Sequence, residues 1–340
     1  MWSRRKPLRG ITESSGAVIR GIRLLTGVIA AAVLAAGCSS EGAPPEDLAD
    51  ALPNNWVTSV AMADDGTVWA GTNDGLGHLS GDTWTNYSSL DGLPNDLVNS
   101  VTVGSNDAIW TGTNFGAGLL DDALWVRYGI EEGLPSNWVN DVAIDSDGTV
   151  WAGTIFGVSR LDGEAWTGLV KDDGLYDGRV TTLAFAPDGT LWIGTNGGLS
   201  SVSDGIWRSY STADGLPSDW INSLAVDTDG IVWVATRKGL ARLIGDDWTV
   251  YTTANGLPND WVNAVAVGDD GTVWAGTSSG LARLDDAGWT SFTTADGLPH
   301  DRVTAVAVGE DGVVWAGTKG GLGRLEGDGW TIYTAAPIES

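Results

Sequence analysis

Trp261-Val-Asn-Ala-Val-Ala-Val-Gly-Asp-Asp-Gly-Thr-Val-Trp-Ala-Gly-Thr-Ser-Ser-Gly-Leu-Ala-Arg-Leu-Asp-Asp-Ala-Gly-Trp-Thr-Ser-Phe-Thr293 is one copy of a unit that fills most of the chain. Four short runs rich in Val, Thr and aromatic residues are separated by Asp-Gly, Ser-Gly and Ala-Gly, and Gly297-Leu-Pro299 leads into the next copy. Such runs bounded by turn residues read as strands, and Asp-Gly between apolar runs reads as a hairpin turn. The central tryptophan recurs at Trp69, Trp110, Trp151, Trp192, Trp233, Trp274 and Trp315, always at an interval of 41 residues. A second series (Trp84, Trp125, Trp166, Trp207, Trp248, Trp289, Trp330) runs 15 residues behind it. Four strands of about 5–6 residues with connections of about 4–6 add up to roughly 40. No stretch of ten residues shows helical spacing, and the glycines would penalise a helix. A four-stranded unit repeated seven times predicts an all-β fold, a seven-bladed β-propeller of antiparallel blades.

With strands named a to d from the centre outwards, the model copy predicts a over 262–267, b over 272–277, c over 281–284 and d over 289–293. The tryptophans of strands b and d are expected to wedge between neighbouring blades as core. The first copy opens after Asp50-Ala-Leu-Pro53, a worn linker, and the last ends just after Trp330-Thr-Ile-Tyr-Thr334, so each blade is complete in sequence order. Closure is therefore expected by packing of blade seven on blade one, with no strand shared between the termini. Arg160, Arg242, Arg283 and Arg324 on strand c recur too regularly for a site, and inter-blade pairing is expected of them.

The first 37 residues stand outside the repeat. Six basic residues (Arg4, Arg5, Lys6, Arg9, Arg20, Arg23) precede a largely apolar run from Leu24 to Gly37. The run is short for a bilayer span and suits the core of a signal peptide. It ends in Leu34-Ala-Ala-Gly-Cys38, which resembles the lipobox of bacterial lipoproteins, with Ala35 where that motif usually has Leu. The resemblance implies cleavage before Cys38 and lipidation of Cys38, the sole cysteine. Ser3-Arg4-Arg5 also resembles a twin-arginine export signal, with Pro7 in place of its usual Phe. Expected domains are thus a signal peptide over 1–37, a tether over 38–49 and the propeller over 50–340, in a monomer exported and lipid-anchored to the cell envelope. Beyond residue 37 the chain holds 43 acidic and 12 basic residues, net −31. Such a charge repels nucleic acid and anionic headgroups, so neither is an expected partner.

Val-Trp-Ala-Gly-Thr-x-x-Gly-Leu-x-Arg-Leu and Asp-Gly-Leu-Pro-x-x-x-Val, over residues 50 to 334, resemble the two-component regulator propeller repeat. The resemblance implies a ligand-sensing, extracytoplasmic propeller of the kind found in hybrid histidine kinases, often glycan sensors. Those sensors usually carry propellers in tandem, followed by a membrane helix and a kinase. One propeller stands here, so signalling is expected to run through a separate partner.

Catalytic chemistry has little footing in the sequence. Asp145-Ser-Asp147-Gly and Asp227-Thr-Asp229-Gly look like fragments of a calcium loop but lack its remaining ligands, and turn residues are the better reading. His78 and His300 have no neighbouring nucleophile or ligand cluster. No metal or cofactor is expected, and the chain is read as non-catalytic. Binding is better supported, because the copies differ in a patterned way on one rim. The residue opening strand a is Trp56, Leu97, Trp138, Arg179, Trp220, Trp261 and Arg302 in turn. The b–c loops carry Phe115, Ile155-Phe156, Arg237-Lys238 and polar pairs elsewhere. Aromatic and Arg side chains on one rim suit sugar stacking or a protein anchor, though each strand-opening Trp could equally pack beneath the linker. Departures from the repeat cluster in blades two to four, including Asn106-Asp107-Ala108 for Asp-Gly, Gly116-Ala-Gly118 in strand c, Leu169 for the strand-d aromatic and Tyr176 for the linker Pro. Local rule-breaking is a mark of functional sites. The expected site is therefore Phe115, Trp138, Ile155, Phe156, Tyr176 and Arg179, with Trp56, Trp220, Arg237, Lys238, Trp261 and Arg302 as further rim candidates. The expected function is solute or glycan recognition by a sensor-like lipoprotein. The alternatives are an interaction scaffold in an envelope complex and, less favoured, a lyase-type enzyme.

Overall fold

The computed structural model describes residues 51–104, 107–121, 124–169, 174–327 and 329–337. The expected signal segment, tether and Cys38, and Asn106 of the altered turn, lie outside them. Each copy forms four consecutive antiparallel strands in the order a-b-c-d, in seven separate sheets. Blade one comprises Val57–Met62, Val68–Thr72, Gly75–Ser80 and Thr83–Tyr87. The strands of the model copy are Val262–Val267, Val273–Thr277, Gly280–Asp285 and Gly288–Phe292. Strand a of each blade lies beside strand a of the blades before and after it, and that of blade seven (Val303–Val308) lies beside that of blade one. The ring closes, and the protein is a seven-bladed β-propeller.

The recurring Gly-Thr-x-x-Gly builds the b–c loop. The Thr277 hydroxyl donates to the Gly280 carbonyl at 2.7 Å and accepts from the Ser279 N–H at 3.1 Å. Gly280 has φ +136°, and a Cβ there would stand 2.7 Å from the Phe292 carbonyl oxygen. Both the backbone and the space therefore require glycine.

Seven apolar clusters sit between adjoining blades. Trp233 of blade five, for example, is buried against Leu257, Val262, Val265 and Val273 of blade six. The two tryptophan series are joined through the strand-d aromatic. Trp233 stacks on Tyr251 of its own blade at 5.9 Å between centroids, and Tyr251 meets Trp289 of the next blade edge-on at 5.7 Å. The chain of rings crosses the closure, where Trp315 stacks on Tyr333 and Tyr333 meets Trp84. Blade three breaks it, because Leu169 stands in place of the aromatic. There Trp151 takes an edge contact from Phe185 of blade four at 6.0 Å and donates its Nε1–H to Asp145 at 3.1 Å.

The strand-c arginines do not pair between blades. Trp233 and Arg242 are direct cross-strand partners in one hairpin, and the guanidinium lies 5.7 Å from that ring. Arg160, Arg283 and Arg324 repeat the arrangement on Trp151, Trp274 and Trp315 and pair with Asp162, Asp285 and Glu326 of the same strand. Directly opposed side chains on a sheet stand only about 5 Å apart, so the neighbour within the hairpin outcompetes one across a blade boundary.

Among the described residues no strand is shared between the two ends of the propeller. They add one parallel bridge between Leu52 and Ala335, where the Leu52 N–H donates to the Thr334 carbonyl and the Ala335 N–H to Asn55 Oδ1 at 2.7 Å. The principal seal is the apolar cluster that joins Leu52, Val57 and Trp84 to Val313, Trp315 and Leu322.

Candidate functional site

Strand a carries a register shift in every blade, between Val57 and Ser59 in blade one and at the matching position in the others. A bulge frees one side chain from the ladder and re-aims it. The bulged residues are Thr58, Asn99, Asn140, Thr181, Asn222, Asn263 and Thr304, and each donates to the carbonyl of the residue that begins strand a in the next blade, at 2.5–2.9 Å. Seven bonds run round the channel as a girdle, the last from Thr304 back to Val57.

One residue further on, Ser59, Ser100 and Ser223 accept N–H bonds from Val101, Val142 and Val265 of the next blade. Asp141 holds this place in blade three and accepts from Leu183 and Val142 at 2.8 and 2.9 Å. Burial pushes its carboxyl up to about 6, against the N–H bonds of Leu183 and Val142 and the hydroxyls of Thr182 and Ser100, which lower it. Among the described residues it is the one ionisable side chain lining the neck of the channel.

Above the girdle lies the upper face, to which the d–a linkers and b–c loops both come. The Asn73, Ile155, Asn196, Ser278 and Lys319 N–H groups donate to the carbonyls of Trp56, Trp138, Arg179, Trp261 and Arg302. The first b–c loop residue thus touches the residue opening strand a. The strand-opening indoles are not packed beneath the linker: Trp138 is 46% exposed, and Trp56 and Trp261 are also exposed. Trp220 is half-buried, because the Arg237 guanidinium lies 3.2 Å from the centroid of its ring and 4.9 Å from that of Trp261. This sandwich depresses the Arg237 pKa through burial. Lys319 places its ammonium 3.8 Å from the Trp56 ring.

A cavity of about 440 Å³ opens on this face and is lined by Trp138, Ile155 and Arg179 together with Thr58, Asn99, Asn140, Thr181 and Asn196. Its girdle residues also line the neck that holds Asp141. Three of the six residues expected at the site are thus brought together. Phe115 and Phe156 stand at the tips of their b–c loops, 68% and 63% exposed, outside the cavity lining. Tyr176, also outside it, packs its ring on Gly198 and uses the N–H that a linker Pro lacks to reach Ser200 Oγ at 3.1 Å. Among the further rim candidates, Arg237, Trp220 and Trp261 form the sandwich, Lys238 is exposed, and Arg302 is half-buried. The sequence reading missed the girdle residues and Asn196. The signal of the girdle was the 41-residue recurrence of Thr or Asn two places after the strand-opening residue, which reads as ordinary polar alternation.

The calcium-loop fragments serve as turns: Asp145 accepts the N–H groups of Asp147 and Thr149, and Asp227 those of Asp229 and Ile231. His78 is stacked on Trp69 at 4.0 Å, and burial lowers its pKa. Among the described residues no group of three or more His, Cys, Asp or Glu is arranged to hold a metal.

The extracellular domain of a candidate hybrid two-component system from B. thetaiotaomicron matches 82% of this chain at 23% identity with a TM-score of 0.73; the chain spans 40% of that domain's length. Virginiamycin B lyase from Staphylococcus aureus, solved with quinupristin, matches 81% of this chain and 97% of its own at 14% identity and a TM-score of 0.67. PorZ, a surface component of the type-IX secretion system of Porphyromonas gingivalis, matches 82% of this chain and 46% of its own at 15% identity, TM-score 0.63. At these identities the likeness is one of fold. No curated protein matches in sequence. Within the chain, the two component regulator propeller model matches residues 51–74, 133–156, 177–197, 215–238 and 256–279. Two component regulator propeller repeats are thus detected along the chain, in blade one and in blades three to six.

Proposed function

We propose that this protein is a non-catalytic, sensor-like propeller that binds a sugar or similar solute on its upper face, outside the cytoplasm, and passes the event to a separate membrane protein. The observation that carries the reading is the cavity beside the exposed Trp138. It joins an indole and Ile155 to amides, hydroxyls and one guanidinium, a mixture that suits the apolar face and hydroxyl edge of a sugar ring. The propeller repeat and the fold shared with an extracellular two-component domain support the sensor class. Export and a lipid on Cys38 would hold a monomer at the envelope. The cavity wall carries no carboxylate or imidazole pair for acid–base work, and the likeness to virginiamycin B lyase stops at the fold.

The second reading, an envelope scaffold, rests on the exposed Phe115 and Phe156, which would serve a protein anchor better than a sugar. A thermal-shift and oligosaccharide-array screen run beside affinity co-purification from the envelope separates the two. Sugar hits that disappear in Trp138→Ala while Phe115→Ser/Phe156→Ser retains them support the sensor. A stable protein partner with no small-molecule hit sinks it.

A further inference from the structure

Part of the positive charge of this protein is gathered on its upper face. Five of its 12 basic residues beyond position 37 (Arg179, Arg237, Lys238, Arg302 and Lys319) open strand a or stand in b–c loops, while the chain as a whole is strongly acidic. None of their five charged side-chain groups forms an ion pair among the described residues; the ion pairs found there belong to the strand-c arginines on the blade flanks. Several acids that share the upper face are held by backbone N–H groups, while Asp74 in the b–c loop of blade one is exposed. Asp96, Asp219, Asp260 and Asp301 each accept a linker N–H at 2.6–2.7 Å, and Asp177 accepts that of Arg179 at 2.9 Å. Two of the rim cations are instead held against indoles, Arg237 in its sandwich and Lys319 on Trp56. Stacking on an aromatic face fixes a guanidinium and leaves the donors on its edge open to an anion.

Among the described residues Arg179 is the one charged side chain that lines the cavity. It faces the same space as Asn196, whose Oδ1 is buried and has no hydrogen-bond partner. A buried acceptor with no partner is unfavourable, so a ligand hydroxyl that meets it after a small turn of the amide is favoured. The acceptor needs a hydroxyl, the guanidinium an anion, and Trp138 with Ile155 an apolar ring face. Each calls for a different part of one molecule.

From these observations we infer that the ligand is a saccharide bearing an anionic group, with that group on Arg179, a ring hydroxyl on Asn196 and the ring against Trp138. The inference rests on the sugar-binding reading above and narrows it to one class. In such a complex the remaining rim cations draw the acidic chain toward the cavity, and binding weakens as salt screens them.

The test is an array of uronate oligosaccharides and sulfated oligosaccharides, each beside its carboxyl-reduced or desulfated counterpart, followed by titration calorimetry on the hits. Acidic members are expected to bind, with affinity falling at least ten-fold for the neutral counterpart and for Arg179→Ala. Arg208→Ala, on the exposed outer strand of blade four, is expected to change it less than three-fold, and raising NaCl from 0.05 to 0.5 M should weaken wild-type binding several-fold. Uronate hits alone assign a carboxylate and sulfated hits alone a sulfate, and either supports the inference. Neutral counterparts that bind as tightly as the acidic sugars overturn it and leave the sugar-binding reading intact. An array without any hit overturns both. Unchanged melting temperature in Arg179→Ala, whose side chain is exposed, separates lost binding from lost fold.

Discussion

Two single residues show how this protein uses departures from its own repeat. Asp141 stands where Ser59, Ser100 and Ser223 take the cross-blade N–H in blades one, two and five, and burial raises its pKa to about 6. A carboxyl whose folded pKa lies above its unfolded value of 3.8 binds its proton more tightly in the native state, so it costs stability at neutral pH. That cost is relieved as pH falls from about 6 towards 4. Asp141→Ser keeps an acceptor for Leu183. The variant is therefore expected to gain on wild type at pH 7, and its advantage to shrink as pH is lowered to 4, measured as the difference between two urea-unfolding series. A difference independent of pH would contradict the assignment. Trp233 illustrates the opposite case, a residue that keeps step. It is 4% exposed, and Trp233→Ala should cost about 3–5 kcal/mol from the cavity it leaves. The tryptophans were legible from the sequence because burial of a large apolar group is decided by its spacing. Asp141 was not, since its protonation depends on neighbours 41 residues away in sequence.

At the scale of elements, the strand pattern was readable almost residue by residue, because each turn carries its own chemistry in Asp-Gly or Gly-Thr-x-x-Gly. The girdle was not. Thr58, Asn99 and their equivalents acquire their role only when the bulge turns them across the channel, and a bulge leaves no mark in a run of alternating residues. The strand-c arginines were misread for a related reason: whether they meet a partner inside or outside their blade is set by the b–c register. Each girdle bond satisfies a buried carbonyl, so Asn222→Ala should cost about 1–3 kcal/mol by stranding the Val262 oxygen. Thr304→Val should cost a similar amount, and it acts on the seam between blades seven and one. Guanidinium denaturation of the two variants tests whether seam and interior are equivalent. A Thr304→Val protein that unfolds in two steps would show the seam to be weaker than the structure indicates.

For the molecule as a whole, seven inter-blade cores of one kind make the ring a closed series of similar interfaces. Removing residues 335–340 takes away the Leu52–Ala335 bridge but leaves every strand of blade seven in place. The truncated protein should therefore fold, with a melting temperature only a few degrees lower, and failure to fold would place closure in the terminal segment instead. Function was less legible than fold at this scale. The sequence brought attention to blades two to four, where Trp138, Ile155 and Arg179 do converge. It also drew in Phe115, Phe156 and Tyr176, which break the pattern without lining the cavity, because a departure from a repeat reveals a change of residue and not the direction in which the side chain points.

The upper-face cavity as the ligand site is the central claim, and one titration tests it most directly. The affinity of wild type and of Trp138→Ala/Arg179→Ala is measured by calorimetry against the tightest-binding oligosaccharide of the array, with melting temperatures recorded in parallel. The account predicts at least a hundred-fold loss of affinity in the double variant with the melting temperature held within a few degrees. Wild-type affinity in that variant would contradict it and place the site elsewhere on the protein.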